Sequence, residues 1–138
     1  MSFRQLPYDP TKDFVAVAIV CSLGPQMITA SSETPFKTLA DVIAASKAKP
    51  GSLSYAIDAT AGAAVFMGRL IQRRAGVEMA EVPYRSPAAM GPDVAQGRVP
   101  LMISSIAVAN PFMELGKLRP LAVTSAKPFP GLPDVPPV

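Results

Sequence analysis

Histidine is absent from this chain and cysteine occurs once, at Cys21. Without His there is no imidazole triad and no imidazole metal site, and one Cys allows neither an internal disulfide nor a thiolate zinc cluster. Charge is sparse as well: 13 Lys plus Arg stand against 10 Asp plus Glu, and only Arg73 and Arg74 adjoin as a basic pair in the middle of the chain. No cationic stripe could track a phosphate backbone, so nucleic acid is not an expected partner. Apolar residues make up 49% of the chain, but 21 of them are Ala, and no uninterrupted run approaches the roughly 18 residues that span a bilayer. The opening residues Met1-Ser2-Phe3-Arg4-Gln5-Leu6-Pro7 lack the apolar stretch of a signal peptide. Two origins fit that: a chain that stays in the cytoplasm, or an excised piece of something exported.

Catalytic patterns are missing too. There is no Gly-rich phosphate loop, no paired carboxylates and no Ser-x-x-Lys motif, so neither an enzyme nor a cofactor is expected. Cys21 sits in an apolar run with no cation close by to lower its pKa, which reads as an inert buried thiol. Met67, Met90 and Met102 read as core filler.

What is present is a regular alternation. A chain of 138 residues is one domain's worth, and burying roughly two-thirds of its unfolded surface gives it a core without staples. Residues 14–22 and 26–30 are two β-rich runs broken at Leu23-Gly24-Pro25 and are expected as strands. Thr38 opens a helix with Leu39, Val42 and Ile43 on one face and Asp41 at the capping-box position, ended by Pro50-Gly51. The same grammar then repeats. Strands are expected over 53–57, 79–84, 99–103 and 118–124, with helices from Ala63 to Ala75, from Ser86 as cap to Gly97 as stop, and near 107–115. Two prolines fit poorly: Pro92 predicts a kinked or late-starting helix, and Pro100 predicts an edge strand or a bulge. Strands alternating with ten-residue helices imply an α/β class, a mainly parallel sheet with helices on both faces. The tail 128–138 holds five of the 16 Pro and reads as a proline-rich linker.

In open α/β sheets ligands sit beyond the carboxyl ends of the strands, where loops enter helix N-termini. Three such loops are candidates: Asp58, Thr60, Ala61 and Gly62 after the second of the repeating strands' predecessors at 53–57; Tyr84, Arg85 and Ser86; and Ser104 with Ser105. Free backbone N–H groups at a helix start favour a carboxylate or phosphate. Two other readings stay open, with Asp58 or Thr60 as a plain helix cap and Ser104-Ser105 as a cap pair. Asp58 itself argues against an anion. The Tyr84-Arg85-Ser86-Pro87 segment is the most polar of the three, with an aromatic, a cation and a hydroxyl in succession.

Several segments together resemble one family. They are Leu6-Pro-Tyr-Asp-Pro-x-Lys-Asp-Phe14, Lys37-Thr-Leu-x-Asp-Val-Ile43, Pro50-Gly-x-Leu-x-Tyr55, Ala75-Gly-Val77, Val82-Pro-Tyr-Arg85, Gly116-Lys-Leu118 and Leu121-Ala-Val-Thr-Ser-Ala-Lys127 followed by Leu132-Pro-Asp-Val-Pro136. In order and spacing they are similar to the solute receptors of tripartite tricarboxylate transporters, the Bug or TctC type. The resemblance implies one lobe of a type II periplasmic-binding-protein-like fold, mainly the second domain of such a receptor. It also implies a small carboxylate ligand, a periplasmic setting and membrane transporter subunits as partners. On that basis residues 1–30 are a crossover or hinge segment with the first strands, 31–127 the ligand-side α/β lobe, and 128–138 the linker. Where the family carries a Gly- and Ser/Thr-rich loop, this chain has Asp58-Ala-Thr-Ala-Gly62; Tyr84 and Arg85 are kept, and Ser104 replaces a usual Asp. A competing reading is a truncated or degenerate homologue that only folds and self-associates, for instance as a homodimer exchanging residues 1–30.

Overall fold

The structure is a computed structural model and describes residues 7–9, 12–15, 17–18, 24–58 and 62–138. Five strands and four helices follow one another as β1 (Gln26–Ser31), α1 (Leu39–Ala48), β2 (Ser54–Ile57), α2 (Ala63–Ala75), β3 (Ala80–Pro83), α3 (Pro87–Ala95), β4 (Leu101–Ser105), α4 (Ile106–Glu114) and β5 (Leu118–Val123). They form one sheet in the order β3-β2-β4-β1-β5. β2 pairs in parallel with β3 and β4, whereas β1 lies antiparallel between β4 and β5. Four strands therefore run one way and β1 runs against them.

The central strands β1, β2 and β4 show a two-residue period that divides the core into two layers. Ile28, Tyr55, Ile57, Leu101 and Ile103 pack with Val42 of α1 and Val65 and Ile71 of α2. Their neighbours Met27, Ala56 and Met102 pack on the opposite face with Met90 and Val94 of α3 and Ala109 of α4. Helices cover both faces, which explains why the central strands read as nearly continuous apolar runs.

The local signals at the helix ends behave as their chemistry dictates. Thr38 accepts the Asp41 N–H at 3.2 Å, and the Asp41 carboxylate accepts the N–H groups of Lys37 and Thr38 at 2.9 and 2.8 Å. Those backbone donors, Lys37 first, hold the Asp41 carboxyl below its ordinary range. Gly76 ends α2 in the left-handed conformation at φ 64°.

Three expectations are corrected. Of the run 14–22, residues 14, 15, 17 and 18 lie outside any strand, and Phe14, Val15 and Val17 are exposed. A β-rich run becomes a strand only when it finds a ladder partner, and among the described residues these four pair with none. Cys21 lies outside the described residues, as do 14 of the 30 residues invoked for strand exchange. Pro100 marks neither an edge strand nor a bulge: it immediately precedes β4, at the centre of the sheet, and its carbonyl accepts the Ser31 N–H at 2.9 Å. Its missing N–H thus falls outside the ladder. Pro92 does not delay α3, which opens at Pro87 and runs through it. Pro92 is exposed, so the carbonyl it leaves unpaired at Ala88 can reach water.

The proline-rich segment 128–138 runs along the outer edge of β5. The Val123 N–H donates to the Pro136 carbonyl and the Val138 N–H to the Val123 carbonyl, each at 2.9 Å, and Val135 is buried against the α3–α4 face. Another proline, Pro120, lies inside β5 where the register against β1 shifts between Ile28 and Thr29. The irregularity absorbs the missing donor.

Candidate functional site at the carboxyl edge of the sheet

Because β2, β3, β4 and β5 point the same way, the chain leaves all four at one edge, and β1 enters there. Ile57 faces Pro83, and Ala56 faces Met102. Carried on by one and two residues, this register sets Asp58 level with Tyr84 on one side and with Ser104 on the other. Strands lie about 5 Å apart, so Tyr84, Asp58 and Ser104 form a row roughly 10 Å long. Gln26 of β1, facing Ser105, continues it. Thr124 closes it, accepting the Gln26 N–H on its hydroxyl at 2.8 Å and donating its own N–H to the Gln26 carbonyl at 2.9 Å.

Three helices open along this edge, and none has a capping bond from its N-cap side chain. Gly62 caps α2 at φ 141°, a conformation that L side chains rarely adopt, and has no side chain to offer. It holds the N-cap position expected for Asp58 or Thr60, because only Gly adopts this backbone without strain. Ser86 and Ser105 are the N-caps of α3 and α4, yet neither hydroxyl accepts a first-turn N–H. The contrast with α1 is informative. The chain leaves β1 at the other edge, and α1 is the helix with a complete capping box. Free N–H groups and the positive ends of the helix dipoles therefore gather at the carboxyl edge.

Of the sequence-predicted residues, Asp58, Gly62, Tyr84, Arg85, Ser86, Ser104 and Ser105 come together here; Thr60 and Ala61 lie outside the described residues. Their side chains divide into two sets. Ser104 is fully buried and donates to the Ser105 carbonyl at 3.2 Å, and the Tyr84 hydroxyl donates to Asp93 Oδ2 at 2.9 Å. Burial first, then the Asp93 contact, pushes the Tyr84 hydroxyl's pKa up, so it stays protonated. Arg85 is exposed and forms no ion pair among the described residues. Among the described residues the edge thus offers one cation and a set of backbone donors, with Asp58 as a carboxylate in the middle of the row.

Sequence reasoning missed the polar network behind the β2–β3 pair. Tyr55 is 1% exposed and donates its hydroxyl to Glu81 Oε1 at 3.0 Å. Arg69 grips both Glu81 oxygens at 2.8 and 3.0 Å, and Gln72 donates to the Tyr55 oxygen at 3.2 Å while accepting the Met79 N–H at 2.7 Å. Tyr55 faces Glu81 only because β2 and β3 pair in that parallel register, which no local pattern announces. Arg69 first, and the Tyr55 hydroxyl after it, hold the Glu81 carboxyl below its ordinary range against opposing desolvation. The sign follows from linkage. A carboxyl depressed in the folded state contributes stability above its unfolded pKa and loses it as pH falls through the folded value, so the loss begins below about pH 4.5. Urea unfolding at stepped pH is expected to show a shallower acid decline for Glu81→Gln than for the parent between about pH 5 and 3. Parallel curves would remove Glu81 from the acid response.

A separate cavity of about 310 Å³ opens between α1 and α2, lined mainly by Leu39, Ile43, Met67, Leu70 and Ile71 with Arg74 and Val138. None of the predicted site residues lines it.

Comparison with known proteins points to one group. The family model described as the tripartite tricarboxylate transporter family receptor, TctC, matches residues 1–138. A UPF0065 protein from the tcbD-tcbE intergenic region of Pseudomonas sp. strain P51 is 31% identical over 134 residues, covering 97% of this chain and 40% of that protein. Among solved structures, R. palustris Rpa4515 with adipate superposes with a TM-score of 0.82 at 34% identity, over 99% of this chain and 45% of that one. The periplasmic binding protein BugD gives 0.74 at 26% identity, over 82% of this chain and 38% of its own. The chain thus spans less than half the length of the relatives it matches.

Proposed function

Since the chain belongs to the tripartite tricarboxylate transporter receptor family, we propose that it forms one α/β lobe of a periplasmic solute receptor, binding a small carboxylate for delivery to membrane transporter subunits. The carrying observation is the row of loops at the carboxyl edge, where α2, α3 and α4 open without N-cap side-chain bonds while α1 has both bonds of its capping box. Uncapped N-termini beside one unpaired cation suit a carboxylate, which accepts several N–H bonds at once. The adipate held by the R. palustris relative supports that ligand class. In this reading the contacts come from Gly62, Arg85, Ser86 and Ser105, with Asp58, Tyr84 and Ser104 shaping the loops around them; Thr60 and Ala61, also named from the sequence, lie outside the described residues. No reacting pair is required, and the role is binding rather than catalysis.

Energetics set the expected strength. Three charge-assisted hydrogen bonds at about 1.5–3 kcal/mol each give about 5–9 kcal/mol. Association costs about 4–15 kcal/mol, so this chain by itself is expected to bind adipate no more tightly than about 1 mM. An NMR titration of the 138-residue chain with adipate is the direct check. Shifts confined to residues near 62, 84–86 and 104–106 and weakened several-fold by Arg85→Gln are expected. The competing reading, a homologue that folds without retaining a ligand, predicts no adipate-dependent shifts at this edge.

A further inference from the structure

Behind the candidate edge stands a second polar cluster that the carboxylate reading leaves unused. Asp93 on α3 accepts the Tyr84 hydroxyl on Oδ2 at 2.9 Å and the Arg98 guanidinium on Oδ1 at 2.8 Å. The Arg98 N–H also donates to the Asp93 carbonyl at 3.0 Å, which closes the helix end beneath them. Tyr84 is held at two points, since its own N–H donates to the Ile57 carbonyl at 2.8 Å. On the other side of Arg85, the Ser86 carbonyl accepts the Ala89 N–H at 3.2 Å. Arg85 is therefore flanked by anchored residues while its own side chain projects exposed, with no ion pair among the described residues.

The two oxygens of Asp93 have separate consequences. The Tyr84 contact ties the loop between β3 and α3 to the body of the helix, which orders the backbone that carries Arg85. The Arg98 contact gives Asp93 a cation of its own, so this nearby carboxylate is already compensated and Arg85 remains available as net positive charge. We propose that Asp93 is the positioning residue of the candidate carboxylate site: it fixes the Tyr84–Ser86 loop through the Tyr84 hydroxyl and, paired with Arg98, leaves Arg85 to meet the ligand. This rests on the carboxylate reading above for its functional half and on the loop geometry alone for its structural half.

The sign of the effect separates positioning from simple charge. Removing the Asp93 carboxylate deletes a negative charge near the site, which by long-range attraction alone tightens anion binding. Losing the loop anchor weakens it. The test compares the full chain with Asp93→Ala, Asp93→Asn, Tyr84→Phe and the Tyr84→Phe/Asp93→Ala double variant, using backbone NMR relaxation without ligand and adipate titration. Without ligand, the Arg85 order parameter is expected near 0.85 in the parent and below about 0.6 in Asp93→Ala and Tyr84→Phe, with α3 unchanged. Asp93→Asn, whose amide oxygen still accepts the Tyr84 hydroxyl, is expected to retain most of the order. With adipate, each anchor-breaking variant is expected to bind about fivefold more weakly, and the double no worse than the weaker single. Equal order parameters in all variants, or adipate binding by Asp93→Ala as tight as the parent's, would overturn the proposal. If the parent itself shows no adipate shifts, the carboxylate reading fails, and the relaxation comparison still decides whether Asp93 anchors the loop.

Discussion

Replacing Gly68 by Ala is expected to destabilise the protein by about 1–3 kcal/mol, although the same change in an open helix interior stabilises by about 1 kcal/mol. Gly68 sits mid-way along α2, and a Cβ built there meets the Tyr55 hydroxyl oxygen at 2.5 Å and two ring carbons at 2.6 Å. A ring could normally swing aside, but Tyr55 is fully buried and its hydroxyl is held by Glu81 and Gln72. Either the ring leaves that network or α2 lifts from the sheet, and both outcomes cost more than the helix gains. Urea denaturation of Gly68→Ala, Tyr55→Leu and the double variant is the measurement. The Ala substitution is expected to cost less in the Tyr55→Leu background than in the parent, and a Gly68→Ala variant as stable as the parent would show that the ring is free to move. A Cβ built at Gly91 would meet the Phe112 ring more closely still, but Phe112 is only half-buried and can yield. A smaller penalty is therefore expected for Gly91→Ala.

The largest loss is expected from Tyr55→Ala, about 3–5 kcal/mol, because it empties the volume of a fully buried ring and leaves the Gln72 side-chain donor without its acceptor. A domain of ordinary stability has about 5–15 kcal/mol in all, so this variant approaches the limit of folding. Tyr55→Phe keeps the ring and removes the hydroxyl alone, and about 1–2 kcal/mol is expected from it. The difference between the two variants divides packing from hydrogen bonding. Burial raises the Tyr55 pKa, with the Glu81 contact adding to it, so the hydroxyl remains a donor through neutral and mildly alkaline pH. Should Tyr55→Phe cost as much as Tyr55→Ala, the polar network rather than the packed ring would be what holds β2 to α2.

Much of the architecture was legible before any coordinates. The Thr38/Asp41 capping box, the Gly76 stop and the Ser86-Pro87 helix start each depend on neighbours within four residues, and each appears where expected. The three candidate loops were also legible, because strands that run parallel must deliver their ends to one edge. Less visible was the reversal of β1, which has the same composition whichever way it runs and is oriented only by its pairing with β4 and β5. The prolines illustrate the same limit. Pro100 looked like an interruption because the apolar run begins at Val99, yet β4 starts one residue after the proline. At Gly91-Pro92 helix propensity is poor, but the Phe112 ring packs where Gly91 lacks a side chain and offsets part of that penalty.

Site chemistry shows the boundary most clearly. Residue types and spacing placed Tyr84, Arg85 and Ser86 at a helix start, but not the direction of their side chains. Only the fold turned the Tyr84 hydroxyl inward to Asp93, buried Ser104 and left Arg85 outside. By itself, then, the sequence determined the alternation of strands and helices, the local caps and the edge at which polar loops collect, since these follow from period, turn chemistry and short-range hydrogen bonds. The tertiary structure decided the strand order, the sense of β1 and the partner of each polar side chain. Those depend on how the elements pack, whether the partners are distant, as Tyr55 and Glu81 are, or closer, as Tyr84 and Asp93 are; each meeting is set by register and packing rather than by a local sequence pattern.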